Sequence, residues 1–215
     1  MRKSDRRKLA DLTLKAFSEA FPDSSCSLDS DLPERLAIRG ILSAQCTDVR
    51  VNITAKELFG KCASMEELDA LSEDELIGII KPCGLYKSKA KSIKTFAHLY
   101  CSEWGGKVPH DTASLMKCPG VGKKIANLII GEVYGIPAVV VDTHCKRVMY
   151  RIGITDNTDP VKVEKNICEV FPEETWIMLG HQAVELGRTY CDSRSPKCGE
   201  CPLTSFCKKR TGGVR

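Results

Sequence analysis

A chain of 215 residues can fold as one large domain or two small ones around a sizeable core, and 42% apolar with 28% charged content is typical of a globular protein in water. Aromatic residues make up only 6%, too few for a base-stacking platform of the single-strand-binding kind. The net charge of +4 is a mild pull toward a polyanionic partner, and the absence of any run of about 18 apolar residues excludes a membrane-spanning helix.

Helical periodicity runs through the chain. Leu9, Leu12, Ala16 and Ala20 fall on one face of a first helix, although the segment MRKSDRRKLADLTLKAF lacks the apolar stretch of a signal peptide. Leu36, Ile38, Ile41 and Leu42 form a second pattern, and another follows Asp48. Ser64 with Glu67 and Ser72 with Glu75 have the spacing of capping boxes, which predicts two short helices. A longer helix covers roughly 88–104 and stops at Gly105-Gly106. Between Lys81 and Lys94 lie five lysines and no acid, and the chain ends KKRTGGVR. Such a run is either a solvated helix face or a set of phosphate contacts.

The stretch from Leu115 to Asp142, LMKCPGVGKKIANLIIGEVYGIPAVVVD, is the most distinctive. A Pro-Gly-Val-Gly turn precedes an apolar helix over 123–134, so backbone at Gly120, Val121 and Gly122 and the helix N-terminus can grip a phosphate. Lys123 and Lys124 sit in that helix's first turn. A lysine amine becomes nucleophilic only when deprotonated, and burial beside a helix N-terminus favours that form. The plain alternative is an exposed lysine in a basic turn. Asp142 follows 18 residues after Lys124 and is placed to cap a helix over 143–151; a carboxylate there can also serve acid–base or electrostatic chemistry. Residues 138–141 are read as a buried connector rather than a strand, and helices over about 161–170 and 175–186 complete an all-α chain of ten or so short helices.

Cys191, Cys198, Cys201 and Cys207 form C-x6-C-x2-C-x5-C. Four thiolates this close can converge on one metal centre, and the uneven spacing suits a [4Fe–4S] cube more than a zinc ion. The other eight cysteines are read as small residues packed along helices. Twelve cysteines without a secretory signal point to a reducing, intracellular setting.

These motifs together resemble the endonuclease III family of DNA glycosylases, over roughly Leu9 to Cys207. Leu42–Asp48 looks like its LSAQ-x-TD segment, Gly84–Ala90 its GLY-x-SKA loop, Val141–His144 its VDTH motif, and the cysteine spacing is the family's. The resemblance implies two helical domains flanking a DNA-binding cleft. One is a six-helix domain over 26–136 holding a helix-hairpin-helix at about 112–134. The other, 1–25 with 137–215, carries the [4Fe–4S] loop at 191–207. It implies a bifunctional N-glycosylase and β-elimination lyase acting on oxidised or ring-saturated pyrimidines in duplex DNA, as a monomer in the cytoplasm or nucleoid. By the same resemblance Lys124 is the nucleophile, and Asp142 either activates it or stabilises the sugar cation. Gln45 fills the space of an extruded base, and Leu85 wedges into the opposite strand. Lys123, His144, Arg194 and Lys197 contact DNA, and carbonyls of Met116, Cys118 and Val121 hold a monovalent cation. A mismatch-specific thymine or uracil glycosylase and a non-catalytic DNA-binding iron–sulfur module are the alternatives. The chain departs from the family pattern at Cys118, Ile125, Cys145 and Ser195.

Overall fold

The computed structural model describes residues 2–29 and 31–208; the basic tail beyond Lys208 lies outside the described residues. Among these residues every regular element is helical. The chain divides into two compact units, Cys26–Ile136 and a discontinuous one made of Met1–Ser25 with Pro137–Arg215.

The first unit contains α2 (Pro33–Leu42), α3 (Asp48–Lys61), α4 (Met65–Ala70), α5 (Glu73–Ile80), a 3-10 turn at Lys81–Cys83, α6 (Tyr86–Ser102), α7 (Thr112–Leu115) and α8 (Lys123–Tyr134). Helix α2 is its central post: every residue from Leu36 to Leu42 is buried. Ser72 and Glu75 form a reciprocal capping box at α5. At α4 the exchange is incomplete, because Ser64 accepts from Glu67 N while Glu67 Oε2 reaches back to Ala63 N at 2.7 Å, one residue before the cap. Two contacts fix α8 and its hairpin. A Cβ at Gly40 would stand 2.8 Å from Ile125 Cγ2, so the glycine in α2 makes room for the branched residue that follows Lys124. A Cβ at Gly120 (φ +82°) would stand 2.5 Å from Ser92 Oγ, so the turn lies against α6 with only glycine tolerated.

The second unit is built from α1 (Lys3–Ala20), α9 (Thr143–Ile152), α10 (Pro160–Cys168), a 3-10 turn at Glu173–Thr175, α11 (Trp176–Thr189) and the cysteine loop. Its core joins Phe17, Val148, Met149, Ile152, Ile167, Leu179 and Leu186, each worth about 1.5–3 kcal/mol when fully buried. The buried face of α1 is not the expected one. Leu9, Ala10, Thr13 and Phe17 face inward, whereas Leu12 is 46% exposed. Phe17 has the largest apolar area on the helix, and Thr13 can be buried because its hydroxyl donates to Leu9 O at 2.7 Å. Residues 138–141 form the buried connector predicted for them, with Val139 1% exposed.

Candidate active site

The hairpin begins where Asp111 caps α7 by accepting from Ser114 N at 2.8 Å. Cys118 N donates to Leu115 O, and Val121 N donates back to Cys118 O at 3.1 Å, closing the turn. Cys118 is buried against α6, its Sγ 3.6 Å from Ser92 O, and burial pushes its thiol up to about 12. It therefore anchors the turn as a small apolar residue. Gly122 then serves as N-cap of α8 with extended backbone and no side-chain cap. The cap residue thus offers no side-chain acceptor to the first turn of that helix, a feature of helix N-termini that take an external anion. Gly120, Gly122, Lys123 and Lys124 are exposed around it, and Val121 is turned inward. Exposure of Lys124 corrects one expectation: the packing of the unit does not bury this amine, which lies in the first turn of α8 close enough for its charge to act on the Cys26 thiol.

Helix α9 starts differently. Asp142 caps it, Oδ1 accepting from Cys145 N at 2.7 Å. The second carboxylate oxygen is left for other work. Cys145 is fully buried in the core of this unit, and burial drives its thiol far above the ordinary range. His144 packs onto α11, where a Cβ at Gly187 would meet its ring at 2.8 Å, and its Nδ1 lies 3.1 Å from Arg147 Nη2. Burial, with Arg147 and Arg188 nearby, holds this imidazole below its usual pKa despite the opposing charge of Asp142.

The four cysteines of the loop line one cavity together with Val148, Ile152 and Leu186. Among the described residues no three side chains of ligating type converge tightly enough for a single metal ion. A wide space ringed by four thiols fits a cube in which each iron takes one thiolate, rather than a zinc ion that draws four sulfurs to about 2.3 Å. Arg151 spans this loop, donating to Asp192 O at 2.6 Å and Ser193 O at 2.9 Å, with Nη1 3.4 Å from Cys191 Sγ. Arg147 donates to Cys191 O at 2.9 Å and Gly187 O at 3.0 Å. Neither arginine was singled out in the sequence; their i, i+4 spacing on α9 is the one signal that points to a shared face. Asp192 Oδ1 accepts from Arg194 N and Ser195 N, a turn that holds its carboxyl below the usual range and leaves Arg194 and Lys197 exposed on the arc.

Comparison with known proteins decides the relationship. Residues 38–173 match the HhH-GPD superfamily base excision DNA repair protein, and residues 191–207 match the iron–sulfur binding domain of endonuclease III. Endonuclease III of Bacillus subtilis is 40% identical over 203 residues, covering 94% of this chain and 93% of that protein. The chain belongs to the endonuclease III family. A solved non-covalent endonuclease III–DNA complex superposes with a TM-score of 0.89 at 36% identity, covering 97% of this chain and 96% of that one. A trapped endonuclease III–DNA covalent intermediate matches equally, at 0.89 and 36%, covering 97% of both chains.

As a member of the endonuclease III family this protein is a base-excision DNA glycosylase and carries a [4Fe–4S] cluster. Two further family segments are distinctive in backbone. Gln45 (φ +52°) and Leu85 (φ +48°) are the non-glycine residues with left-handed φ among those described, and both are exposed, Leu85 by 51%. Holding a side chain there costs about 1–3 kcal/mol, a strain that concentrates at functional positions. The lysine run between them and the hairpin is not uniform. Lys81, Lys87 and Lys91 are exposed, but Lys89 is 3% exposed and donates to Leu42 O and Cys83 O, each at 2.8 Å. Lys94 turns onto the carbonyls of Leu68, Asp69 and Leu71, closing the C-terminal end of α4. Reading Lys89 as a phosphate contact is thereby corrected: it is an internal brace. The eight remaining cysteines also differ from expectation, since only Cys62, Cys83, Cys118 and Cys145 are buried, and Cys26, Cys46 and Cys118 sit in loops or turns.

Proposed function

We propose that this protein is a bifunctional DNA N-glycosylase and abasic-site lyase acting on oxidised or ring-saturated pyrimidines in duplex DNA. The observation that carries the reading is Lys124, exposed in the first turn of a helix whose N-terminus has no side-chain cap and directly follows a glycine hairpin. Backbone N–H groups at Gly120 and Gly122 and the end of α8 receive a DNA phosphate, while the Val121 N–H closes the turn onto Cys118 O behind them, with Lys123, Arg194 and Lys197 adding charge. Met116, Cys118 and Val121 offer the carbonyls for a monovalent cation beneath the turn. The damaged nucleotide leaves the stack, Gln45 takes its place and Leu85 wedges opposite, so the strained backbone at both residues presents side chains to the duplex. His144 supports the backbone contact from α9.

With DNA seated over it, the Lys124 amine loses water and its proton. Its nitrogen attacks the anomeric carbon, the glycosidic C–N bond breaks, and the base departs with the electron pair and a proton. The ring C1′–O4′ bond then breaks, O4′ taking up a proton, and the resulting imine between Lys124 and the opened sugar acidifies C2′; loss of a C2′ proton drives β-elimination that expels the 3′ phosphate. Asp142 supplies negative charge as the sugar becomes cationic or accepts the amine proton. Cys191, Cys198, Cys201 and Cys207 are the ligands of the cluster, which holds the loop carrying Arg194 and Lys197 in a fixed arc. The protein acts as a monomer, in the cytoplasm on the nucleoid. The solved covalent intermediate of a relative at 36% identity supports the lyase half of this reading.

The test is borohydride trapping on duplexes bearing thymine glycol, uracil, an abasic site or a mismatch. Wild-type protein is expected to cross-link and cleave the thymine glycol and abasic duplexes. Base release without any trapped adduct would make the enzyme a simple glycosylase, and preference for the mismatch would replace the lesion class.

A further inference from the structure

Helix α9 sends one side chain into the turn that carries the first cysteine of the loop. Arg151, partly buried in the last turn of α9, donates Nη1 to Asp192 O at 2.6 Å and to Cys191 O at 3.3 Å, and Nη2 to Ser193 O at 2.9 Å. The same Nη1 stands 3.4 Å from Cys191 Sγ, within hydrogen-bond reach of a sulfur acceptor. At the backbone end of the residue, Arg151 O lies 3.4 Å from Cys207 Sγ. One residue therefore touches the first and the last of the four cysteines. Its guanidinium is permanently charged, and among the described residues it pairs with no carboxylate. We propose that Arg151 is a positioning residue for the cluster: it fixes the Cys191 turn in its ligating shape and, through its N–H contact with the Cys191 sulfur, makes the cluster easier to reduce.

The carbonyls of three consecutive residues, 191 to 193, point at one guanidinium. Left without a donor they would repel one another, and a planar fork satisfies all three at once. From the other side Asp192 Oδ1 accepts from Arg194 N and Ser195 N. Side-chain bonds therefore hold the turn from two directions, and the place of the Cys191 sulfur does not depend on iron to define it.

The electronic effect follows from charge. A sulfur that ligates iron is a thiolate, and an N–H donor draws part of its charge away. The reduced cluster carries one more electron than the oxidised one, so a cationic donor on a ligand sulfur stabilises the reduced state more. Cys207 is treated in the opposite way. Once bound to iron its sulfur has no proton to give Arg151 O, so only Cys191 keeps a hydrogen bond to this residue in the loaded protein. The ligand roles of both cysteines belong to the function proposed above, and the inference rests on them.

The experiment uses anaerobically purified holoprotein. The midpoint potential of the cluster is measured by film voltammetry, and its release to an iron chelator is followed by visible absorbance. Arg151→Gln should be harder to reduce by about tenfold in the one-electron equilibrium, or ~59 mV, and should lose iron several-fold faster. Lys162→Gln removes one exposed charge from α10 in the same unit and should match wild type in both. A wild-type midpoint in Arg151→Gln would overturn the proposal. So would an equal shift in Lys162→Gln, since the effect would then be one of net charge. If Arg151→Gln does not load, Arg151→Lys decides, because it keeps the charge and loses the fork. A lower midpoint with faster release then supports the contact, and wild-type values for both overturn it. Cys191→Ser tells the two failures apart. A wild-type spectrum and midpoint there would fault the ligand assignment and the inference with it, whereas altered values beside an unmoved Arg151→Gln overturn the role of Arg151 alone.

Discussion

Helices α8 and α9 each begin next to a proposed catalytic side chain, yet their first turns are finished in opposite ways. At α9 the Asp142 carboxylate fills the donor of Cys145 from within the chain. At α8 the cap is Gly122, with no side chain to offer, and the cationic Lys123 and Lys124 stand where an acid would ordinarily stabilise the helix dipole. A helix gains about 0.3–1 kcal/mol from an anion at that end, and α8 forgoes it. The difference teaches that the cap of α8 leaves room for an anion from outside the protein, the phosphate of the reading proposed here, whereas the cap of α9 comes from within the chain and fixes one carboxylate oxygen of Asp142.

The largest expected effect comes from removing the amine. Lys124→Gln should abolish borohydride trapping and lower strand cleavage by roughly four orders of magnitude or more, while Lys123→Gln keeps most activity. DNA binding by Lys124→Gln, measured by anisotropy, should persist because the backbone donors of α8 remain. Trapping that survived in this variant would assign the nucleophile elsewhere. Next, Asp142→Asn should lose about 10²–10³-fold in cleavage rate with little change in unfolding free energy, since asparagine caps as well as aspartate. Asp142→Ala should lose the same rate and in addition about 1 kcal/mol of stability by denaturant titration.

Gly122→Asp asks the comparison directly. Nothing lies within 4 Å of a Cβ built there, and φ of −86° suits any residue. An aspartate would cap α8 as Asp142 caps α9, so stability should rise by a few tenths to about 1 kcal/mol while DNA affinity falls. Higher affinity would contradict an anion site at this terminus. Lys87→Gln should reduce the salt dependence of DNA binding by about one unit of slope, whereas Lys89→Met should lower stability by leaving the Leu42 and Cys83 carbonyls without their donor.

The smallest effect is on pH dependence. Because the folded protein holds His144 below the ordinary value of 6.5, the unfolded chain binds its proton first as pH falls. Stability contributed by the neutral imidazole is therefore present above that value and declines as pH drops through it toward the depressed folded value. His144→Gln should flatten this part of a stability-versus-pH curve, and an unchanged slope would mean that other groups govern it.

The sequence by itself determined the helices, the capping exchange of Ser72 with Glu75, the cap at Asp142, the glycine turn and the spacing of the four cysteines. Each of these is settled by atoms within a few residues of one another, so the local sequence contains both partners. Tertiary structure alone decided which face of α1 is buried, that Ile125 needs Gly40, and that Gln45 and Leu85 are held in left-handed backbone. It also split one lysine run into outward Lys87 and Lys91 and inward Lys89 and Lys94. Lys89 shows the physical reason: its acceptor Leu42 O is 47 residues away, and a buried ammonium takes the direction in which carbonyls can replace its water. No periodicity in KPCGLYKSKAKSIK encodes that partner, because it exists only once α2 and α6 have packed together.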